Sequence, residues 1–143
     1  MTRPRILELP PEVATAMRQK RQGRSKYRNK PTVYGGVRYA SKAEAERAMH
    51  LDAAIANGFA SWWIGQPTFR LGCPENVYRP DFLVAFPGFN GQGTGIRAED
   101  VKGVETAKFK RDKKLWSAYG PVPLWIVRNG KIVEVIEPGE VKL

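Results

Sequence analysis

The chain of 143 residues has one cysteine, Cys73, and one histidine, His50. A lone cysteine excludes an internal disulfide and suits a reducing cytoplasm. One cysteine and one histidine cannot build a zinc site or a Cys–His nucleophile pair without outside help. No apolar run approaches the roughly 20 residues of a membrane span. The N-terminus carries charges early with no apolar stretch, so no secretory leader is expected. GxGxxG, P-loop and nucleophile-elbow patterns are absent, which argues against a nucleotide cofactor. No internal repeat is visible. Negative charge is scarce too: 14 Asp and Glu stand against 24 Lys and Arg, leaving a net charge of +10. A fold does not need that excess. It implies a polyanionic partner, nucleic acid before an anionic membrane surface.

What is present fits one domain with a self-sufficient core, since 42% of the residues are hydrophobic. Residues 1–30 differ from the rest. "LPPEVATAMRQKR" has the prolines of a helix start. "RQGRSKYRNK" lacks apolar periodicity and reads as a flexible basic arm. Its Arg24, Lys26, Arg28 and Lys30 are candidate phosphate contacts, with a solvated tail as the alternative. Residues 31–143 read as the folded domain.

Within that domain "TVYGGVRYA" is a hairpin signal around Gly35-Gly36. "SKAEAERAMHLDAAIANG" is a helix, with Ser41 as N-cap and Gly58 as stop. "SWWIGQPTFRL" is extended but interrupted by Gly65 and Pro67. "VYRPDFLVAF" is an apolar strand, and "IRAEDVKG" is the next. "TAKFKRDKKLWSAYG" is a basic amphipathic helix with Phe109, Leu115 and Trp116 inward. "VPLWIVRN" and "KIVEVIE" are strands joined at Asn129-Gly130. The order predicts an α/β or α+β domain with a central sheet and packed helices.

The strand "AEDVKG" carries charges where apolar residues usually do better. Side chains two apart share a face. Asp100 and Lys102 therefore point one way and Glu99 the other. If the two strands pair, which their short connection allows, Asp81 joins Asp100 and Lys102 on one sheet face. A third carboxylate, Glu44, shares a helical stripe with Ala48, Leu51 and Ile55. "SKAE" is also a capping box, so Glu44 has a structural reading beside the functional one. Clustered carboxylates repel, and a divalent cation relieves this. Oxygen ligands with room for water and phosphate suit Mg²⁺ or Mn²⁺. The sober reading of Asp100 and Lys102 is a same-face ion pair.

Pro80-Asp81 followed by Asp100-Val101-Lys102 resembles the PD-(D/E)XK nuclease signature. The fuller set "GGVRYASKAEAERA … QPTFRL … YRPDFLV … EDVKG … FKRDKKL" resembles a family of small phage-encoded predicted endonucleases. Some of its relatives are described as resolving Holliday junctions. The resemblance runs from about Tyr27 to Val127. It implies a restriction-endonuclease-like core, a mixed sheet of four to five strands flanked by helices. It also implies Mg²⁺-dependent cleavage of DNA, with Mn²⁺ as a substitute. Carried across by residue, Glu44, Asp81 and Asp100 would be the metal ligands and Lys102 the motif lysine. A one-residue register error would exchange Glu99 for Asp100. Gln66 matches a recurring glutamine, with turn packing and DNA contact both open. In the helix after the motif, Lys110, Lys113 and Lys114 are candidate phosphate contacts. Paired cuts in a four-way junction imply a homodimer, and a phage enzyme would work in the host-cell cytoplasm. The alternatives are a nucleic-acid-binding module without catalysis and a nuclease without junction preference. The sequence assigns no role to Trp62 and Trp63.

Overall fold

The structure, a computed structural model, describes residues 7–8, 30–88 and 92–139. Of the basic arm, Arg24, Lys26 and Arg28 lie outside the described residues. The protein is mixed α+β and divides into two compact units, residues 1–50 and 51–143.

In the first unit, strands β1 (Leu7–Glu8), β2 (Thr32–Tyr34) and β3 (Val37–Tyr39) form an antiparallel sheet in that order. Gly35 and Gly36 turn the β2–β3 hairpin at φ 59° and 78°. A two-residue turn of this hand matches the strand twist and needs left-handed residues, hence two glycines. Helix α1 (Lys42–Ala56) follows and runs across the division between units. Its first turn is capped by Ser41, whose Oγ accepts the Glu44 N–H at 3.2 Å. The buried stripe is Ala45, Ala48 and Leu51, turned slightly from the expected Glu44–Ala48–Leu51–Ile55 row. Glu44 is half-buried at its margin, and Ile55 is 38% exposed. Glu46 pairs with Lys42 at 3.8 Å on the exposed side.

The second unit is built on a five-stranded mixed sheet. Its strands are β4 (Trp62–Gly65), β7 (Phe82–Pro87), β8 (Thr94–Val101), β9 (Leu124–Arg128) and β10 (Lys131–Ile136), ordered β10-β9-β8-β7-β4. Neighbours are antiparallel except β8 and β9, which are parallel. A parallel pair needs a crossover, supplied here by helix α2 (Ala107–Tyr119). Thr106 caps α2, its side chain accepting the Phe109 N–H at 3.1 Å. Asn129 and Gly130, at φ 51° and 73°, make the β9–β10 turn.

"VYRPDFLVAF" is not one strand. Val77–Tyr78 is β6, which pairs with β5 (Phe69–Arg70) as a separate ribbon, and β7 begins only at Phe82. Pro80 explains the break, because it has no N–H to give a ladder. Asp81 therefore stands immediately before β7 rather than inside it. The core of this unit gathers Leu71, Tyr78, Ala98, Phe109, Trp116, Leu124 and Ile126. Trp116 is fully buried, its indole N–H donates to Val122 O at 2.8 Å, and it meets Phe69 and Tyr78 edge-on. Gly120 is required beside it, because a Cβ there would collide with the indole. Among the described residues no helix is long and apolar enough to cross a membrane.

Candidate functional site

The register of β7 and β8 sets Phe82 opposite Glu99, so Asp81 comes next to the end of β8 at Asp100 and Val101. Asp81 closes this junction itself: its Oδ2 accepts the Val101 N–H at 2.7 Å. Asp100 has no exposed surface. Its Oδ2 accepts a hydrogen bond from the Tyr78 hydroxyl and lies 3.3 Å from Lys102 Nζ. Its Oδ1 is buried and has no hydrogen-bond partner among the described residues. Burial, and then the Asp100 carboxylate, push the Tyr78 phenol well above its usual range, so it stays a donor. Asp81 thus binds the backbone next to Asp100, and Asp100 pairs with Lys102 two residues on.

Glu99 is equally buried but faces the other side of β8. It pairs with Arg97 at 3.6 Å, and that guanidinium lies over Trp125 at 4.0 Å and Phe86 at 5.0 Å. Glu44 belongs to the first unit and the other acids to the second. Among the described residues no three His, Cys, Asp or Glu side chains form a group that could hold a metal ion.

Gln66 ends β4 in a left-handed conformation, φ 50°, and its N–H donates to the Asp81 carbonyl at 2.8 Å. A non-glycine residue rarely takes that conformation. Its backbone is therefore what ties it to the site; the side chain is exposed.

The basic residues divide. Lys30, Lys110 and Lys114 are exposed. Lys113 is committed within the fold, bound to Glu105 and, at 3.0 Å, to Glu134. Its hydrogen bond to Glu105 raises the Lys113 pKa and lowers that of Glu105. Lys113 therefore does not stand beside Lys110 and Lys114 as a third available cation. The lysine that faces the site is Lys108. It lines a cleft of about 250 Å³ with Tyr78, Arg79, Lys102 and Asp112, and Val77, Thr106 and Phe109 complete the walls. Lys110 and Lys114 sit about 200° round the helix from Lys108 and Asp112 respectively, at 100° per residue.

Tyr78, Arg79, Lys108 and Asp112 were not singled out from the sequence. For Asp112 a signal existed: it lies three residues after Phe109 and four before Trp116, on the buried stripe of α2. For Tyr78 none did, because its partner Asp100 is 22 positions away. In comparisons with known proteins, no family model, no curated protein and no solved structure matches the chain.

Proposed function

We propose that the chain is a metal-dependent DNA endonuclease with a restriction-endonuclease-like core, acting on branched DNA such as four-way junctions. One observation carries the reading. Asp81, just before β7, binds the Val101 N–H beside Asp100 of β8, and Lys102 pairs with Asp100 beside a cleft walled by cations. The net charge of +10 supports a polyanionic substrate. The branched substrate and the homodimer that paired cuts require rest on the family resemblance.

The donor set fits a hard divalent cation. Both acids offer only oxygen, and the buried Oδ1 of Asp100 lacks a hydrogen-bond partner among the described residues. Asp81 and Asp100 would hold it; Glu44, the third acid the resemblance implies, belongs to the other unit. The chemistry supplied beside a phosphodiester is activation of water and neutralisation of charge on the departing oxygen. The chain's own groups do the rest. Tyr78 fixes the rotamer of Asp100 by its hydroxyl. Lys102, with 32% of its side chain exposed, reaches solvent and can meet an anionic phosphate oxygen. Asp81 holds the end of β8 against β7.

A second reading, a nucleic-acid-binding module without catalysis, is favoured by the way Tyr78 and Lys102 already occupy Asp100 Oδ2. Cleavage of labelled DNA separates the two. The panel is a four-way junction, a Y-fork, linear duplex and single strand, with Mg²⁺, Mn²⁺ or EDTA. The variant is Asp81→Asn, whose amide oxygen can still accept the Val101 N–H. Symmetric junction cuts that need metal and vanish in Asp81→Asn are expected. Equal cutting of all substrates would remove the junction preference. Binding without cutting in both proteins would leave the binding module.

A further inference from the structure

We infer that the cleft between β6 and the start of α2 is a seat for a backbone phosphate of the bound nucleic-acid strand, held by Arg79 and Lys108. The inference rests on the nucleic-acid reading above and adds residues that reading does not contain. Three cations, Arg79, Lys102 and Lys108, line the cleft against one carboxylate, Asp112. Their commitments differ. Lys102 is held by Asp100 at 3.3 Å and Lys108 by Asp112 at 3.7 Å. Arg79 is exposed and makes no ion pair or hydrogen bond with any described residue. A guanidinium in that situation is a planar fork available to a phosphate.

Asp112 explains why Lys108 belongs to the cleft. The Asp112 side chain is only 10% exposed, whereas the Lys108 side chain is 79% exposed. The buried acid steers a flexible ammonium towards the cleft wall and leaves most of it in water. At 3.7 Å in solvent that pair is weak and can give way to a more highly charged anion. Size argues in the same direction. About 250 Å³ lies below the roughly 300–1,000 Å³ of small-molecule pockets. A short charged segment fits it better than a complete organic ligand.

Position gives the seat its purpose. Tyr78 and Lys102 belong both to the cleft and to the contacts of Asp100. A strand anchored in the cleft is therefore presented to Asp81 and Asp100, which Lys110 and Lys114, on the far side of α2, cannot do.

The test is binding, so it does not depend on turnover. Fluorescence anisotropy with labelled duplex and four-way junction DNA is followed against salt in EDTA. Arg79→Gln and Lys108→Gln keep the aliphatic stem and alter exposed positions, and thermal melting checks their fold. Each is expected to weaken binding roughly three- to tenfold and to lower the slope of log K against log salt by about one. Lys108→Arg restores both. Lys131→Gln, which removes the same charge from the β9–β10 hairpin, leaves the slope unchanged. If the wild type binds and both glutamine variants match it in affinity and slope, the phosphate seat is wrong and the nucleic-acid reading survives. If the slope falls equally in Lys131→Gln, only net charge is being measured and the seat is overturned. If the wild type binds no DNA, both fall together.

Discussion

Glu99 and Asp100 are consecutive acids of one strand, both without exposed surface, and each has a cation two residues away. Their surroundings differ in how far the paired cation is closed off from solvent. Arg97 is clamped between Phe86 and Trp125, and its side chain is 12% exposed. Lys102 leans over Phe109 at 5.1 Å and opens on the cleft. On the Glu99 side the ion pair is closed in by aromatic rings, so its work is structural. On the Asp100 side the lysine reaches solvent, with 32% of its side chain exposed. Strand alternation alone separates the two roles, because neighbouring side chains cannot share a face.

The largest effect expected from breaking this symmetry is on the closed side. Glu99→Ala leaves Arg97 in place without its carboxylate, and losing one partner of a buried pair costs about 3–5 kcal/mol. Urea unfolding reads this directly; a loss below 1 kcal/mol would mean the pair is not structural. Next comes Tyr78→Phe, which removes the hydroxyl donor to buried Asp100 and should cost about 1–3 kcal/mol. The same variant sharpens a pH effect. The phenol is held protonated in the folded chain, while the unfolded chain releases that proton from its ordinary pKa of 10.0 upward. The unfolded state then binds fewer protons, so stability is complete below about pH 10 and falls above it. Unfolding midpoints measured from pH 8 to 11 should show that fall in the wild type and a shallower one in Tyr78→Phe. The smallest effect belongs to the open side: Lys102→Met should cost about 1–2 kcal/mol, since buried Asp100 keeps the Tyr78 hydroxyl and the ammonium is already partly solvated. A larger loss would make Lys102 as structural as Arg97.

Much of this arrangement was legible in the sequence where a local rule applies. The glycines of the β2–β3 turn and the Asn-Gly of β9–β10 announced themselves because only such residues take positive φ cheaply. Ser41 announced α1, and parity put Asp100 with Lys102 and away from Glu99. Three features depended on longer range. Pro80 split an apolar run that looked continuous, which moved Asp81 to the doorstep of β7. Tyr78 acquired its meaning from an acid in another strand. Lys113 resembled its neighbours in a run of lysines, yet Glu105 and Glu134 from separate elements claim it. The bond of Asp100 to Tyr78 and that of Lys113 to Glu134 are tertiary facts, and local spacing does not encode them.

The parallel pairing of β8 with β9 also has a consequence for refolding. Ala98 meets Leu124 only after the chain has closed a loop containing all of α2. Hairpins β2–β3 and β9–β10 close through two-residue turns and need no such search. Pairing across a loop of that length carries a larger closure entropy than a two-residue turn. The wall carrying Thr106, Lys108 and Asp112 is part of that loop, so the cleft depends on a pairing that no local turn supplies.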